Sequence, residues 1–168
     1  SMPPGRADQR GQIAARAAQW GARFGPDDLV LTAGATQAVR LALRAVCKPG
    51  DVVAVERPAY FGSLLLLEDL GLKALEIATD PREGLLLEPL AEAIARHRPA
   101  AVLASPTVQN PLGASMPVER KQALVALLER AGIPLIEDDV YGDLAGAGQR
   151  PPACKAFDAR GTVLYCGS

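Results

Sequence analysis

Short apolar runs rich in Val, Ile and Leu recur along this chain, separated by segments of helical length and helical periodicity. Strands without a clean in–out alternation are buried on both faces. Strands joined through helices form βαβ units and a largely parallel sheet. The expected fold is therefore α/β: three layers, α/β/α, around a mostly parallel sheet.

The spacing predicts a first helix from about Arg6 to Phe24, with Ile13, Ala17, Trp20 and Phe24 on one face. Strands are expected over Leu29 to Thr32, Val52 to Val55, Ala74 to Ile77, Ala101 to Ala104, Pro134 to Glu137 and Thr162 to Cys166. Helices are expected over Thr36 to Cys47, Phe61 to Leu70, Pro89 to His97 and Pro117 to Ala131. Lys48-Pro49-Gly50-Asp51, Gly71, Pro99 and Gly132 stop them. Ala145 to Pro152, rich in Gly and Pro, reads as a loop. Residues 1–27 read as an N-terminal helical segment and 28–168 as the α/β core.

With 168 residues, 49% hydrophobic and 22% charged, the chain is long and apolar enough for one core. Its net charge is −1, and no Lys/Arg stripe forms. The segment itself is thus expected to bind neither nucleic acid nor anionic membrane. Cys47, Cys154 and Cys166 show no metal spacing and read as reduced thiols, which suits a cytoplasmic protein. The single histidine, His97, reads as a solvated helix end. No secretory signal and no membrane-spanning run is expected.

Four candidate sites each follow a strand. Gly34-Ala35-Thr36-Gln37 opens a helix, where unpaired N–H groups suit an anion; it also reads as an ordinary turn with Thr36 as N-cap. Tyr60 suits stacking on a flat ring, though taken alone it reads more readily as an aromatic covering a sheet edge. Asn110, in the Pro- and Gly-fixed loop 105–113, suits a donor to a phenolate-like oxygen, or a turn before Pro111. The run Ile133, Leu135, Ile136 ends in Glu137, Asp138 and Asp139, with Tyr141 three residues past Asp138. That places acid at a strand's carboxyl edge, where open α/β folds bind ligands. A solvated acidic turn and a magnesium site are the other readings of the same three acids. Gathered at one edge, a carboxylate for a protonated ring nitrogen and a phenol for a neighbouring oxygen suit pyridoxal phosphate.

In order, GATQ (Gly34 to Gln37), PAY (Pro58 to Tyr60), QNPLG (Gln109 to Gly113), DDVY (Asp138 to Tyr141) and YCGS (Tyr165 to Ser168) resemble the fold-type I pyridoxal-phosphate enzymes, the aspartate aminotransferase superfamily. The resemblance runs from about Gly5 to Ser168. Within it, Leu75 to Arg82, Pro134 to Leu144 and Lys155 to Asp158 resemble the aminotransferase-like domain of MocR-type transcriptional regulators of the GntR family. The fold implied is an incomplete aminotransferase large domain.

The resemblance implies that Ala35, Thr36 and Ser168 hold the cofactor phosphate. Tyr60 would stack on the ring, Asn110 and Tyr141 would bond its phenolic oxygen, and Asp138 would pair with its nitrogen. It implies an amino acid or amine as effector or substrate and a homodimer for the whole protein. DNA would be contacted through a winged-helix domain N-terminal to this segment. In the family, the Schiff-base lysine follows the equivalent serine by about three residues. This chain stops at Ser168, and Lys48, Lys73, Lys121 and Lys155 lie in other contexts. The chain alone is thus expected to lack a catalytic residue, to be inactive in transamination and to bind cofactor weakly or not at all. Strand edges near Leu29 and Val163 are expected to stay unpaired. Two functions follow from the resemblance: part of the effector domain of a MocR/GntR-type regulator, or part of a free-standing class I/II aminotransferase acting on an amino acid.

Overall fold

The computed structural model of the chain describes residues 2–145, 148 and 150–168. Of the loop expected from Ala145 to Pro152, residues 146, 147 and 149 lie outside the described residues.

Six strands form one sheet: β1 (Val52–Arg57), β2 (Lys73–Asp80), β3 (Gly84–Leu85), β4 (Ala101–Ala104), β5 (Leu135–Asp139) and β6 (Val163–Gly167). Their order is β3-β2-β1-β4-β5-β6. All pairings are parallel except β2 with β3, where Thr79 faces Leu85. The two-residue β3 is too short to leave a periodic signal, and it adds an antiparallel edge that the sequence reading omits.

Five helices accompany the sheet: α1 (Ala7–Ala18), α2 (Ala35–Val46), α3 (Phe61–Asp69), α4 (Leu87–His97) and α5 (Val118–Ala131). Side-chain alternation along the strands divides the core into two layers. Val53, Val55, Leu103 and Ile136 pack with Val39 and Leu43 of α2 and Leu66 and Leu67 of α3. Their neighbours Ala54, Val102, Ala104 and Leu135 pack with Leu90 of α4 and Leu124, Val125 and Leu128 of α5. Both faces of the sheet are thereby covered, which accounts for the unbroken apolar runs. Gly132 ends α5 at φ 67, where only glycine is unstrained.

Two expected elements differ. The first helix stops at Ala18 rather than Phe24, because Gly21 turns the chain at φ 90. Trp20 and Phe24 still pair, with ring centroids 6.2 Å apart, and both lie against Tyr165 of β6. Leu29 to Thr32 is not a strand. A strand exists only through its ladder, and the Leu31 N–H donates instead to the Pro4 carbonyl at 2.9 Å. No described helix is long and apolar enough to cross a membrane.

Candidate functional site

Strand order reverses between β1 and β4, and the chain leaves the sheet there by two loops that run side by side. A crevice at the carboxyl ends of strands beside such a reversal is where open α/β sheets bind ligands. A cavity lies at this point. Glu56 and Tyr60 from the β1 exit, Ser105 and Asn110 from the β4 exit, and Asp138 of β5 line it over a floor of Val55 and Leu103. Ser63 of α3 completes the rim. Three of the residues singled out in the sequence thus meet: Tyr60, Asn110 and Asp138.

Alternation along β5 resolves the three adjacent acids. Glu137, wholly buried, accepts the Cys154 N–H at 2.7 Å and the Lys155 N–H at 2.9 Å. Asp139 accepts the Tyr165 hydroxyl at 2.9 Å and pairs with Arg150. Asp138 turns the other way, and its Oδ1 is buried with no hydrogen bond. Adjacent residues on a strand point to opposite faces, so these three carboxylates do not converge. Among the described residues no cluster of His, Cys, Asp or Glu is arranged to hold a metal ion.

Burial, and then the neighbouring Asp139 carboxylate, push Asp138 up to about 6. A buried carboxylate oxygen with no donor is costly unless a cation or an N–H is brought to it. A protonated ring nitrogen is such a group. The lining of this cavity suits the ring of pyridoxal phosphate in chemistry, though its volume of about 20 Å³ is room for a water and not for a ring: Tyr60 offers a ring face, Asn110 an amide and Asp138 an unpaired acceptor.

The start of α2 lies beside a second, larger cleft. Gly34 caps the helix at φ 91, so Thr36 sits inside the first turn rather than at the cap. Thr32 donates its hydroxyl to the Gly34 carbonyl at 3.0 Å, and the Gln37 side chain accepts the Ala33 N–H. The turn is thereby fixed from both sides, with the N–H groups of Ala35 and Thr36 in the opening turn, where no intrahelical acceptor exists. Gly34 and Ser168 border the same cleft of about 400 Å³, with Trp20, Phe24 and Tyr165. Tyr141 is 40% exposed at the start of a 3-10 turn (Gly142–Leu144) and borders neither cavity.

Sequence reasoning passed over Glu56 and Gln109, which are 5% and 2% exposed. Burial pushes the Glu56 carboxyl up to about 7 against the pull of the Ser105 N–H and the Gln109 amide, and Asp138 adds to the push. A charged residue closing an apolar strand, and an amide next to Asn110, were the available signals.

The family model described as aminotransferase class I and II matches residues 3–168. Over all 168 residues the chain is 44% identical to the uncharacterized HTH-type transcriptional regulator YdcR of Escherichia coli (strain K12), covering 100% of this chain and 36% of that protein. It is 43% identical over 159 residues to the uncharacterized HTH-type transcriptional regulator YjiR of the same organism, covering 95% of this chain and 34% of that protein. The chain thus spans about a third of the length of these relatives. The crystal structure of LysN, the alpha-aminoadipate aminotransferase of Thermus thermophilus complexed with N-(5'-phosphopyridoxyl)-L-leucine, superposes with a TM-score of 0.88. It is 27% identical, and the match covers 100% of this chain and 42% of that one.

Proposed function

We propose, from the premise that this chain belongs to the class I and II aminotransferase family, that it is the cofactor-facing part of the aminotransferase-like effector domain of a MocR/GntR-type transcriptional regulator. The observation that carries the cofactor half of this reading is Asp138 Oδ1, buried and without a partner in the cavity it shares with Tyr60 and Asn110. The regulator half is supported by 44% and 43% identity to two HTH-type regulators.

When bound, pyridoxal phosphate supplies an electron sink that depends on a proton at its ring nitrogen. Asp138, ionised, would hold that proton in place from the carboxyl end of β5. Tyr60 would cover one face of the ring. Asn110 would donate to the phenolic oxygen; Tyr141, which borders neither cavity, is assigned to the same oxygen by the family resemblance alone. The N–H groups of Ala35 and Thr36, the Thr36 hydroxyl and the Ser168 hydroxyl hold the phosphate at the positive end of α2. The substrate or effector class that this reading implies is an amino acid or amine. In the whole protein the response passes to a DNA-binding domain, and the working unit is a cytoplasmic homodimer. A free-standing aminotransferase acting on an amino acid would use the same residues; the likeness to LysN is consistent with that second reading, and the identity to the two regulators puts it behind the first.

Titration of the chain with pyridoxal phosphate tests the cofactor half, read by two-dimensional NMR, which registers weak binding. Shifts centred on Tyr60, Asn110 and Asp138 are the expected result, and shifts elsewhere, or no binding by the chain and the whole protein alike, reject it. Promoter binding by the whole protein, with and without cofactor and amine, separates regulator from enzyme. Amine-dependent turnover without any DNA response would favour the enzyme.

A further inference from the structure

We propose that Glu56 and Gln109 are positioning residues that set the spacing between Tyr60 and Asn110. The proposal rests on the ring-site reading above. Glu56 Oε2, on the β1 side, accepts the Ser105 N–H of the β4 exit at 3.0 Å. Gln109, on the β4 side, returns a bond: its Nε2 donates to the Pro58 carbonyl of the β1 exit at 2.8 Å. Its other end, Oε1, accepts the Leu112 N–H at 2.9 Å and braces its own loop. Two loops are thus cross-stitched in both directions by side chains from which water is excluded.

The stitches fall beside the residues they would position. Pro58 lies two residues before Tyr60, and Gln109 adjoins Asn110. A buried carboxyl is an expensive way to hold a strand end, since Glu56 Oε1 is buried with no hydrogen bond. An apolar residue would close β1 at less cost, so the Ser105 contact is what the carboxyl adds. The β4 loop is under strain as well. Val108 takes φ 52, a region that β-branched residues avoid, and the Ser115 hydroxyl holds its N–H at 3.0 Å. Strain next to a ligand-facing residue persists only where surrounding bonds over-determine the loop, and Gln109 supplies two of them.

Three variants of the 168-residue chain, with Tyr60→Ala and Asp138→Asn as controls, test the proposal when titrated with pyridoxal phosphate and followed by NMR and by circular dichroism of the bound ring. Glu56→Leu removes the acceptor for Ser105. Gln109→Glu keeps the acceptor for Leu112 but removes the donor to Pro58. Each is expected to weaken binding on the order of tenfold and to reduce the ring's dichroism, because small misplacements of contact groups are costly. Glu56→Gln keeps an acceptor for Ser105 and is expected to rescue both readouts relative to Glu56→Leu. Urea unfolding of the same proteins removes variants that lose the fold, and the isosteric Gln109→Glu decides if Glu56→Leu is among them. Wild-type-like binding and dichroism in Gln109→Glu, with Tyr60→Ala impaired, overturns the positioning role and leaves the ring site standing. Unaltered binding in Tyr60→Ala and Asp138→Asn, or no binding by the chain and the whole protein alike, overturns the ring site and the proposal with it.

Discussion

Lys121 Nζ donates to Thr107 Oγ1 at 2.6 Å, inside the protein and with no part of the lysine exposed. The same ammonium donates to the Pro152 carbonyl at 2.9 Å. One residue of α5 thus ties the β4 exit loop to the segment after β5. Burial pulls the Lys121 pKa down, and the surrounding Cys154, Glu137 and Asp139 pull it back up. Lys121→Met would leave two buried acceptors unserved. A loss of about 2–3 kcal/mol is expected from two hydrogen bonds to a charged group, to be read from urea unfolding at fixed pH.

Three acids give the chain an unusual pH response. Burial pushes Glu56 and Glu137 up to about 7 and Asp138 up to about 6. In each case the folded state binds the proton more tightly than the unfolded chain does. Their contribution is fully present below the unfolded carboxyl range and is lost as pH rises through about 6 to 7. The urea midpoint should therefore fall between about pH 5 and pH 8, and Glu56→Gln should flatten part of that fall. A midpoint constant across this window would contradict the burial of these groups.

Asp138→Asn separates stability from binding. A neutral amide no longer has to be ionised in a buried place, so the variant should be more stable than the wild type by about 1–2 kcal/mol at about pH 8. The same amide cannot favour a proton on the ring nitrogen, so pyridoxal phosphate should bind more weakly. In the wild type, affinity should drop as pH falls through about 6, when the carboxylate is lost. Calorimetric titration across that range in both proteins checks the pair of effects, and a parallel drop in the variant would count against Asp138.

Arg150 joins the turn after α1 to the sheet. Its guanidinium pairs with Asp139, donates to the Tyr165 hydroxyl at 3.0 Å and lies 4.6 Å from the ring centroid of Trp20. Arg150→Ala would leave Asp139 buried without its cation, at a cost of about 3 kcal/mol. Trp20 is the only tryptophan, so its fluorescence reports the site directly. A shift to longer wavelength, at denaturant concentrations where the sheet remains intact, is the expected sign of α1 loosening first.

The strands were readable in the sequence where burial on both faces leaves an uninterrupted apolar run, as in Ala101 to Ala104, whose bounds the structure reproduces. Leu29 to Thr32 looks the same locally, yet a strand is defined by a neighbour, and local composition carries no information about neighbours. Tyr60, Asn110 and Asp138 were legible because each follows a strand, and parallel strands bring their ends to one edge. Glu56 and Gln109 were not, because their partners lie on a loop whose adjacency arises only at the β1–β4 reversal. Nor could three consecutive acids be told from a metal site until the pleat of β5 separated them.

The cavity walls come from loops remote in the chain, and no single one of them encloses a ligand. The pocket consequently comes into being only when β1, β4 and β5 are all in register. Whatever it takes up must bind the folded chain and ignore the unfolded one. Such a ligand acts as a strap across the middle of the sheet, raising stability by about 2.7 kcal/mol at roughly a hundred times its dissociation constant. Supply of the ligand would then govern how long the protein survives proteolysis, apart from anything it does chemically.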